Sequence, residues 1–466
     1  MPRSRRTPPL HLLALVTVLV CVSAALYPLL RTPANLPDVL LIVLDTTRAD
    51  RLSLHGYPRP TTPILRELGE RSVVFRRAFA TSPWTIPSHA SLFTGKMPGE
   101  LGVGWHNLRL PEGIPTLAEV FRSAGYRTVA FFQNPILEEP SFARGFSTWQ
   151  KTGVGKAASE LAPFLRSLSA EEPVFLFLNL FAPHLAYNPA PEHRSLFVRE
   201  WSPRVRRLAH ARWHTLLERY WSGNLSREDI GILGDLYDGE LHWADTELGQ
   251  VFALWNETGR RRPLVVAVTA DHGESLGEKG LFDHQLSVSN TLLHVPLVLY
   301  APGRLAPATV SRPVSLRDLP RTLLELAGNR HARSFPGRSL VERAVHDGGG
   351  VVVSEYELPA VVLDELRTEV PSFDVEPFRR GLVAVQNERF KLVVPTAGKM
   401  ELYDLQKDPE ESRDLYPPPP GSEAARALRI LLAAVEAESG TETHRTPVLS
   451  PEDLERLQTL GYLPGP

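Results

Sequence analysis

The chain has 466 residues, 43% of them hydrophobic and 22% charged, with a formal net charge of −2. That balance excludes a disordered chain and leaves no basic footprint for nucleic acid. The single cysteine, Cys21, lies in an N-terminal apolar segment, so the remainder has no disulfide, thiolate metal ligand or cysteine nucleophile.

Arg3, Arg5 and Arg6 precede a run from Leu10 to Leu30 without a formally charged side chain. A positive flank before an apolar run of about 20 residues marks an export signal or a membrane anchor. Residues 1–35 are therefore set apart as such a segment. An uncleaved anchor is the favoured reading, and cleavage after Ala24 would instead give a secreted protein. Either way the rest of the chain is expected outside the cytoplasm, in the periplasm or cell envelope when anchored.

Val39 to Leu44 is a continuous apolar run, as expected of a strand buried on both faces. Asp45 follows at its C-terminal end, where open α/β sheets gather ligands, and where a loop-capping Asp is equally at home. The stretch Thr85-Ile86-Pro87-Ser88-His89-Ala90-Ser91-Leu92-Phe93-Thr94-Gly95 reads as a polar loop entering a short helix. Pro87 suits the first helical position and Gly95 suits the stop. Free N–H groups and the positive dipole end would then face Thr85. A hydroxyl so placed is a candidate nucleophile, although the same pattern fits a threonine cap on a surface helix.

Pro115 to Tyr126 has the spacing of an amphipathic helix closed by Gly125. Thr128–Phe132, Val174–Leu178, Pro263–Ala270 and His294–Tyr300 are further strand runs. His184 follows the second of these, and Asp271-His272-Gly273-Glu274 ends the third. Leu236 to Trp255 reads as a long helix. His210 and His214 would share a helix face, as would Asp238 and His242; both pairs read as ordinary helix faces. Ser315 and Asp318 form a capping-box pattern before a helix ending near Gly328. Beyond about residue 335 the pattern turns to short strands over 350–353, 381–386 and 390–394. A stiff Pro417–Pro420 linker and a helix over 422–438 complete it.

The Thr85–Gly95 stretch resembles the sulfatase signature, Cys-x-Pro-Ser-Arg with a Leu-Thr-Gly-like ending. Thr85 stands at the Cys position and His89 at the Arg position. Asp45, the Pro183-His184 segment with Tyr187, Asp271-His272-Gly273 and Tyr403-Asp404-Leu405 follow in the family's order. The chain is similar to sulfatases of the alkaline phosphatase superfamily.

The resemblance implies an α/β fold, with a mixed, mostly parallel sheet flanked by helices over residues 36–335. A smaller C-terminal α+β subdomain would occupy 336–466. It implies metal ligation by Asp45, Asp271, His272 and Thr85, Thr85 being also the nucleophile. Two carboxylates with one imidazole suit Ca²⁺ first, then Mg²⁺ or Mn²⁺. His184 and His284 take catalytic roles at the substrate's charged oxygens or leaving group. His89, Gln133 and Asn134 become substrate-binding candidates, because Phe132-Gln133-Asn134-Pro135 replaces the family's Gly-Lys-Trp-His. Thr46 replaces a second Asp. Glu274 and Glu278 read as structural.

The expected partner is a sulfate or phosphate ester on a glycan or lipid head group. Sulfatases convert their Cys or Ser to formylglycine, a route closed to threonine, and superfamily members with threonine mainly transfer phosphoryl groups. The expected activity is thus metal-dependent hydrolysis of a sulfate or phosphate ester through a covalent Thr85 intermediate. The alternatives are a phosphoryl transferase of the cell envelope and an inactive homologue that binds sulfated glycans.

Overall fold

The computed structural model describes residues 36–345 and 350–438, with residue 455 and residues 457–459. Residues 1–35, and with them the Leu10–Leu30 run, lie outside the described residues. None of the described helices is long and apolar enough to cross a membrane.

The first six strands are β1 (Asp38–Leu44), β2 (Val73–Phe79), β3 (Arg127–Phe132), β4 (Thr148–Lys151), β5 (Val174–Leu180) and β6 (Leu264–Thr269). Then come β7 (Ser275–Leu276), β8 (Phe282–Asp283), β9 (His294–Tyr300), β10 (Ala308–Val310) and β11 (Val314–Ser315). Among the described residues nine strands form the main sheet, in the order β10-β2-β9-β6-β1-β5-β3-β4, with β11 also beside β2. Strand β9 runs antiparallel to β2 and β6, and every other pairing is parallel. Strands β7 and β8 form a separate two-stranded ribbon.

Strand β1 is buried along its whole length. Its side chains alternate between two cores, as a pleated strand requires. Val39, Leu41 and Val43 pack with helices α2 (Thr85–Thr94), α3 (Leu117–Ser123) and α8 (Leu319–Leu326). Leu40, Ile42 and Leu44 pack on the other face with α1 (Pro63–Glu70), α4 (Ala157–Ser167) and α7 (Arg227–Glu257). The register pairs Val43 with both Asn179 and Thr269. Asp45, Asn179 and Asp271 are thereby brought together at the C-terminal ends of three neighbouring central strands, although the two aspartates are far apart in sequence.

A second, antiparallel sheet contains β12 (Val352–Tyr356), β13 (Leu382–Gln386), β14 (Phe390–Pro395) and β15 (Glu401–Asp404). Helix α9 (Glu423–Glu438) covers it, with Ala427 and Leu431 set among Val353, Val385, Leu392 and Leu402. Strand β12 also grips the main body. Ser354 Oγ donates to the Ala80 carbonyl at 2.6 Å and the Glu355 N–H to the Thr81 carbonyl at 2.8 Å. The Leu286 N–H donates to the Tyr356 hydroxyl at 3.0 Å.

Several local expectations change. Helix α2 begins at Thr85, two residues before Pro87; Trp84 precedes it in extended conformation. Pro87 costs nothing there, since the third N–H of a helix also lacks an internal partner. Gly95 ends α2 with φ +72°, and a Cβ there would lie 2.7 Å from the Pro336 carbonyl oxygen. His210 caps α5 (Pro203–Ala209), while His214 belongs to α6 (Trp213–Trp221), so they share no helix face. The Ser315–Asp318 box does not form: Ser315 accepts from the Arg317 N–H, and Asp318 from the Arg338 N–H. Helix α7 starts earlier than expected, at Arg227, behind a genuine box between Ser226 and Asp229.

Candidate active site

The site lies where β1, β5 and β6 end and α2 begins. Asp45, Thr85, His89, Asp271, His272 and His284 are all fully buried, and His184 is 7% exposed. Ligating atoms of Asp45, Asp271 and His272 lie within 4.8 Å of one another. The His272 Nδ1–H donates to the Gly273 carbonyl at 2.9 Å, which leaves Nε2 with its lone pair. Thr85 Oγ1 is 3.2 Å from that Nε2. Gly273 is required by crowding, because a Cβ would sit 2.0 Å from the Thr291 carbonyl oxygen.

Asp45 Oδ2 accepts from Asn134 Nδ2 and from Asn179 Nδ2, each at 2.9 Å. Asp271 Oδ1 accepts from the backbone N–H groups of His272 and Thr46, at 3.0 and 3.3 Å. The Thr46 N–H is aimed by a left-handed turn with φ 48°, and its carbonyl is held by the Tyr237 hydroxyl. Thr46 thus contributes backbone where the family places a carboxylate.

The other oxygens, Asp45 Oδ1 and Asp271 Oδ2, are buried without a hydrogen-bond partner. Burial pushes both carboxyls above the usual range, and the neighbouring Asp271 charge adds to the shift at Asp45. Two adjacent buried carboxylates with unmet oxygens, beside an imidazole lone pair, fit a divalent cation. A second cluster, Glu274, Asp283 and His284, has equally close ligating atoms. There the His284 Nδ1 already meets Asp283 Oδ1 at 2.6 Å and Glu274 Oε1 at 3.3 Å, so the cluster answers its own hydrogen-bonding demand.

Burial, then the neighbouring His284, holds His184 and His272 below the ordinary imidazole value. Burial acts the same way on His284, but Asp283 and Glu274 overcome it and raise His284 well above that value. The His284 ring lies 4.4 Å from the His272 ring and 5.1 Å from the His184 ring. His184 donates from Nδ1 to the Leu185 carbonyl at 2.6 Å and stacks on Phe181.

Not every expected residue reaches this cluster. Gln133 spends its amide on the Gly153 carbonyl, Glu247 and the Phe181 N–H, and turns away from Thr85. Asn134 does reach it, with Nδ2 3.4 Å from Thr85 Oγ1 as well as on Asp45. His89 lies beneath Thr85: its Nδ1 donates to the Thr85 carbonyl at 2.9 Å and is 3.4 Å from Asp271 Oδ2. In α7, Asp238 pairs with Arg51 and Arg59, and His242 contacts His193, as ordinary helix residues. Sequence reading missed Asn179, a polar residue inside an otherwise apolar strand, and Asp283.

The profile of the sulfatase family matches residues 37–329. The chain belongs to the sulfatase family. It is 23% identical to an ulvan-active sulfatase of Formosa agariphila, over 87% of this chain and 82% of that one. It is 22% identical to human arylsulfatase K, over 82% and 79%. With a Δ4,5-hexuronate-2-O-sulfatase of Bacteroides thetaiotaomicron it shares 23% identity over 85% and 88%. The fold of this sulfatase-family chain superposes on the phosphonate monoester hydrolase of Agrobacterium radiobacter. The TM-score is 0.68 at 20% identity, covering 86% of this chain and 96% of the other. A protein solved with its substrate D-glucosamine-2-N,6-O-disulfate gives 0.69 at 18% identity, covering 86% and 97%.

Proposed function

We propose that this sulfatase-family hydrolase cleaves sulfate or phosphate esters with Thr85 as a covalent nucleophile. The observation that carries the reading is the place of the Thr85 hydroxyl. It opens α2 between His272 Nε2 and Asn134 Nδ2, beside the Asp45–Asp271 pair. Asp45, Asp271 and His272, with Thr85 itself, would hold a divalent cation, Ca²⁺ first and Mg²⁺ or Mn²⁺ as alternatives. When bound, such an ion polarises an ester oxygen and lowers the pKa of the Thr85 hydroxyl.

The chain's own groups then divide the work. The first turn of α2 directs N–H groups and its positive dipole end toward the attacked centre. Asn134 fixes the Thr85 oxygen and Asp45 together. His89 holds the Thr85 carbonyl and so the start of the helix. His184 and His284 serve the equatorial charge and the leaving oxygen. Water, or an acceptor alcohol, releases the group from Thr85.

Threonine favours phosphorus over sulfur, since it cannot expel sulfate by collapsing to an aldehyde. The structural likeness to a phosphonate monoester hydrolase supports that preference, and the sulfated-sugar relatives support a carbohydrate as the carrier. Rapid acid quench during turnover, followed by mass spectrometry, tests the reading. A phospho- or sulfo-modified Thr85 is expected, and turnover with an unmodified Thr85 would overturn it. Leu10–Leu30 is proposed to carry the catalytic part across a membrane; a reporter fused after residue 335 should then work only outside the cytoplasm.

A further inference from the structure

Asp283 has no part in the nucleophile or in the carboxylate pair, yet the fold places it with unusual care. It ends β8, whose partner β7 sets Ser275 opposite Asp283, one residue beyond Glu274. Its backbone is left-handed, with φ 67°, a conformation that Asp and Asn tolerate better than other side chains. That turn folds the carboxylate back onto the next residue. Asp283 Oδ1 meets both the backbone N–H and the ring Nδ1 of His284 at 2.6 Å. Glu274 closes the arrangement from the residue just before β7: Oε1 is 3.3 Å from the same Nδ1, while Oε2 accepts from the Leu185 N–H beside His184.

All three side chains are nearly or fully buried. Two carboxylates around one ring nitrogen fix the tautomer and the ring plane. With Nδ1 engaged, chemistry at His284 belongs to Nε2, on the opposite edge of a ring that packs against His272 and His184.

We propose that Asp283, assisted by Glu274, is a positioning residue that sets His284 as the proton donor to the leaving oxygen. The inference rests on the Thr85 reading for the identity of the attacking group. In the first step Thr85 Oγ1, whose proton is lost to solvent once before the cycle and which each turnover returns as the alkoxide, bonds to phosphorus or sulfur. The bond to the leaving oxygen breaks, its electron pair goes to that oxygen, and the oxygen takes the Nε2 proton of His284. In the second step water attacks the threonine ester and gives its proton back to His284. The Thr85 oxygen leaves with the bonding pair, and both groups are restored.

The decisive variant is Asp283→Asn, which keeps an oxygen acceptor and tolerates the left-handed backbone, so folding and bound metal should match wild type. Turnover of an alkyl ester should fall by on the order of a hundredfold, and that of a 4-nitrophenyl ester, whose leaving group needs no proton, by only a few-fold. The Asp283→Asn/His284→Gln double variant should be no slower than His284→Gln alone, because Asp283 acts through His284. Equal loss on both esters, or additive loss in the double variant, would overturn the proposal. Thr85→Ala is read separately. If it keeps full turnover, the nucleophile assignment fails, while the leaving-group contrast and the double-variant comparison still decide the role of Asp283.

Discussion

Asn134 and Asn179 donate to the same oxygen of Asp45, each at 2.9 Å, from the ends of neighbouring strands. A second link ties the pair: the Asn134 N–H donates to Asn179 Oδ1 at 3.0 Å. One carboxylate oxygen is thus immobilised, while its twin is buried without a hydrogen-bond partner. Removing Asn179 should therefore act on the metal. Asn179→Ala is expected to weaken divalent-cation affinity about ten- to a hundredfold, measured by competition with a chelator. Asp45→Ala should abolish stoichiometric metal; full occupancy in that variant would refute the ligand set.

Thr85 separates chemistry from architecture. Thr85→Ala should lower kcat by on the order of a thousandfold or more while the melting temperature holds; because Thr85 is also a proposed ligand, the comparison is made at saturating divalent cation. Thr85→Ser keeps the hydroxyl and should retain substantial activity. Near-normal kcat in Thr85→Ala would remove the covalent step.

Stability should fall on acidification for a reason remote from the site. Burial, with smaller contributions from His294 and Arg76, depresses His55 from 6.5 to about 3. Its Nε2 is buried without a partner. The fold therefore favours neutral His55: the contribution is complete above pH 6.5 and is lost as pH falls from 6.5 towards 3. Urea midpoints across that window should decline in wild type, and His55→Gln should flatten part of the slope.

Lys391 offers a stability test in the C-terminal sheet. Its Nζ is fully buried and donates to Glu411 Oε1 at 2.9 Å, Asn290 Oδ1 at 3.0 Å and the Val288 carbonyl at 2.5 Å. Lys391→Met strands Glu411 as an uncompensated buried carboxylate and should cost about 3–5 kcal/mol. Chemical denaturation would show it. Pairing it with Glu411→Met should recover much of the loss.

The parts legible in the sequence were those written as contrast along the chain. The apolar runs of β1, β5, β6 and β9 stand out, and so do Asp45, His184 and Asp271 just past three of them. The sulfatase resemblance rests on the Thr85–Gly95 signature, with these residues following in the family's order. Strand β2 escaped notice because Arg76 and Arg77 interrupt its apolar face. Asn179 was hidden by the run that contains it, and only the sheet register shows that it faces Asp45. Gln133 and Asn134 were equivalent as letters, but adjacent residues at a strand end diverge, and one of them reaches Thr85. Asp283 is set against His284 by a left-handed turn that no spacing rule encodes.

Strand β12 holds the Ala80–Thr81 carbonyls just upstream of Thr85, and its Tyr356 receives the Leu286 N–H just downstream of His284. The small sheet is therefore a brace on the loop that enters Thr85 and the loop that leaves His284. A shortened protein ending near residue 335 would keep every proposed ligand, but would release the Thr85 loop and the His284 loop together. Trimming this chain to a minimal unit should thus cost rate before it costs metal binding, and the C-terminal sheet cannot be exchanged between relatives without carrying its grip on both loops.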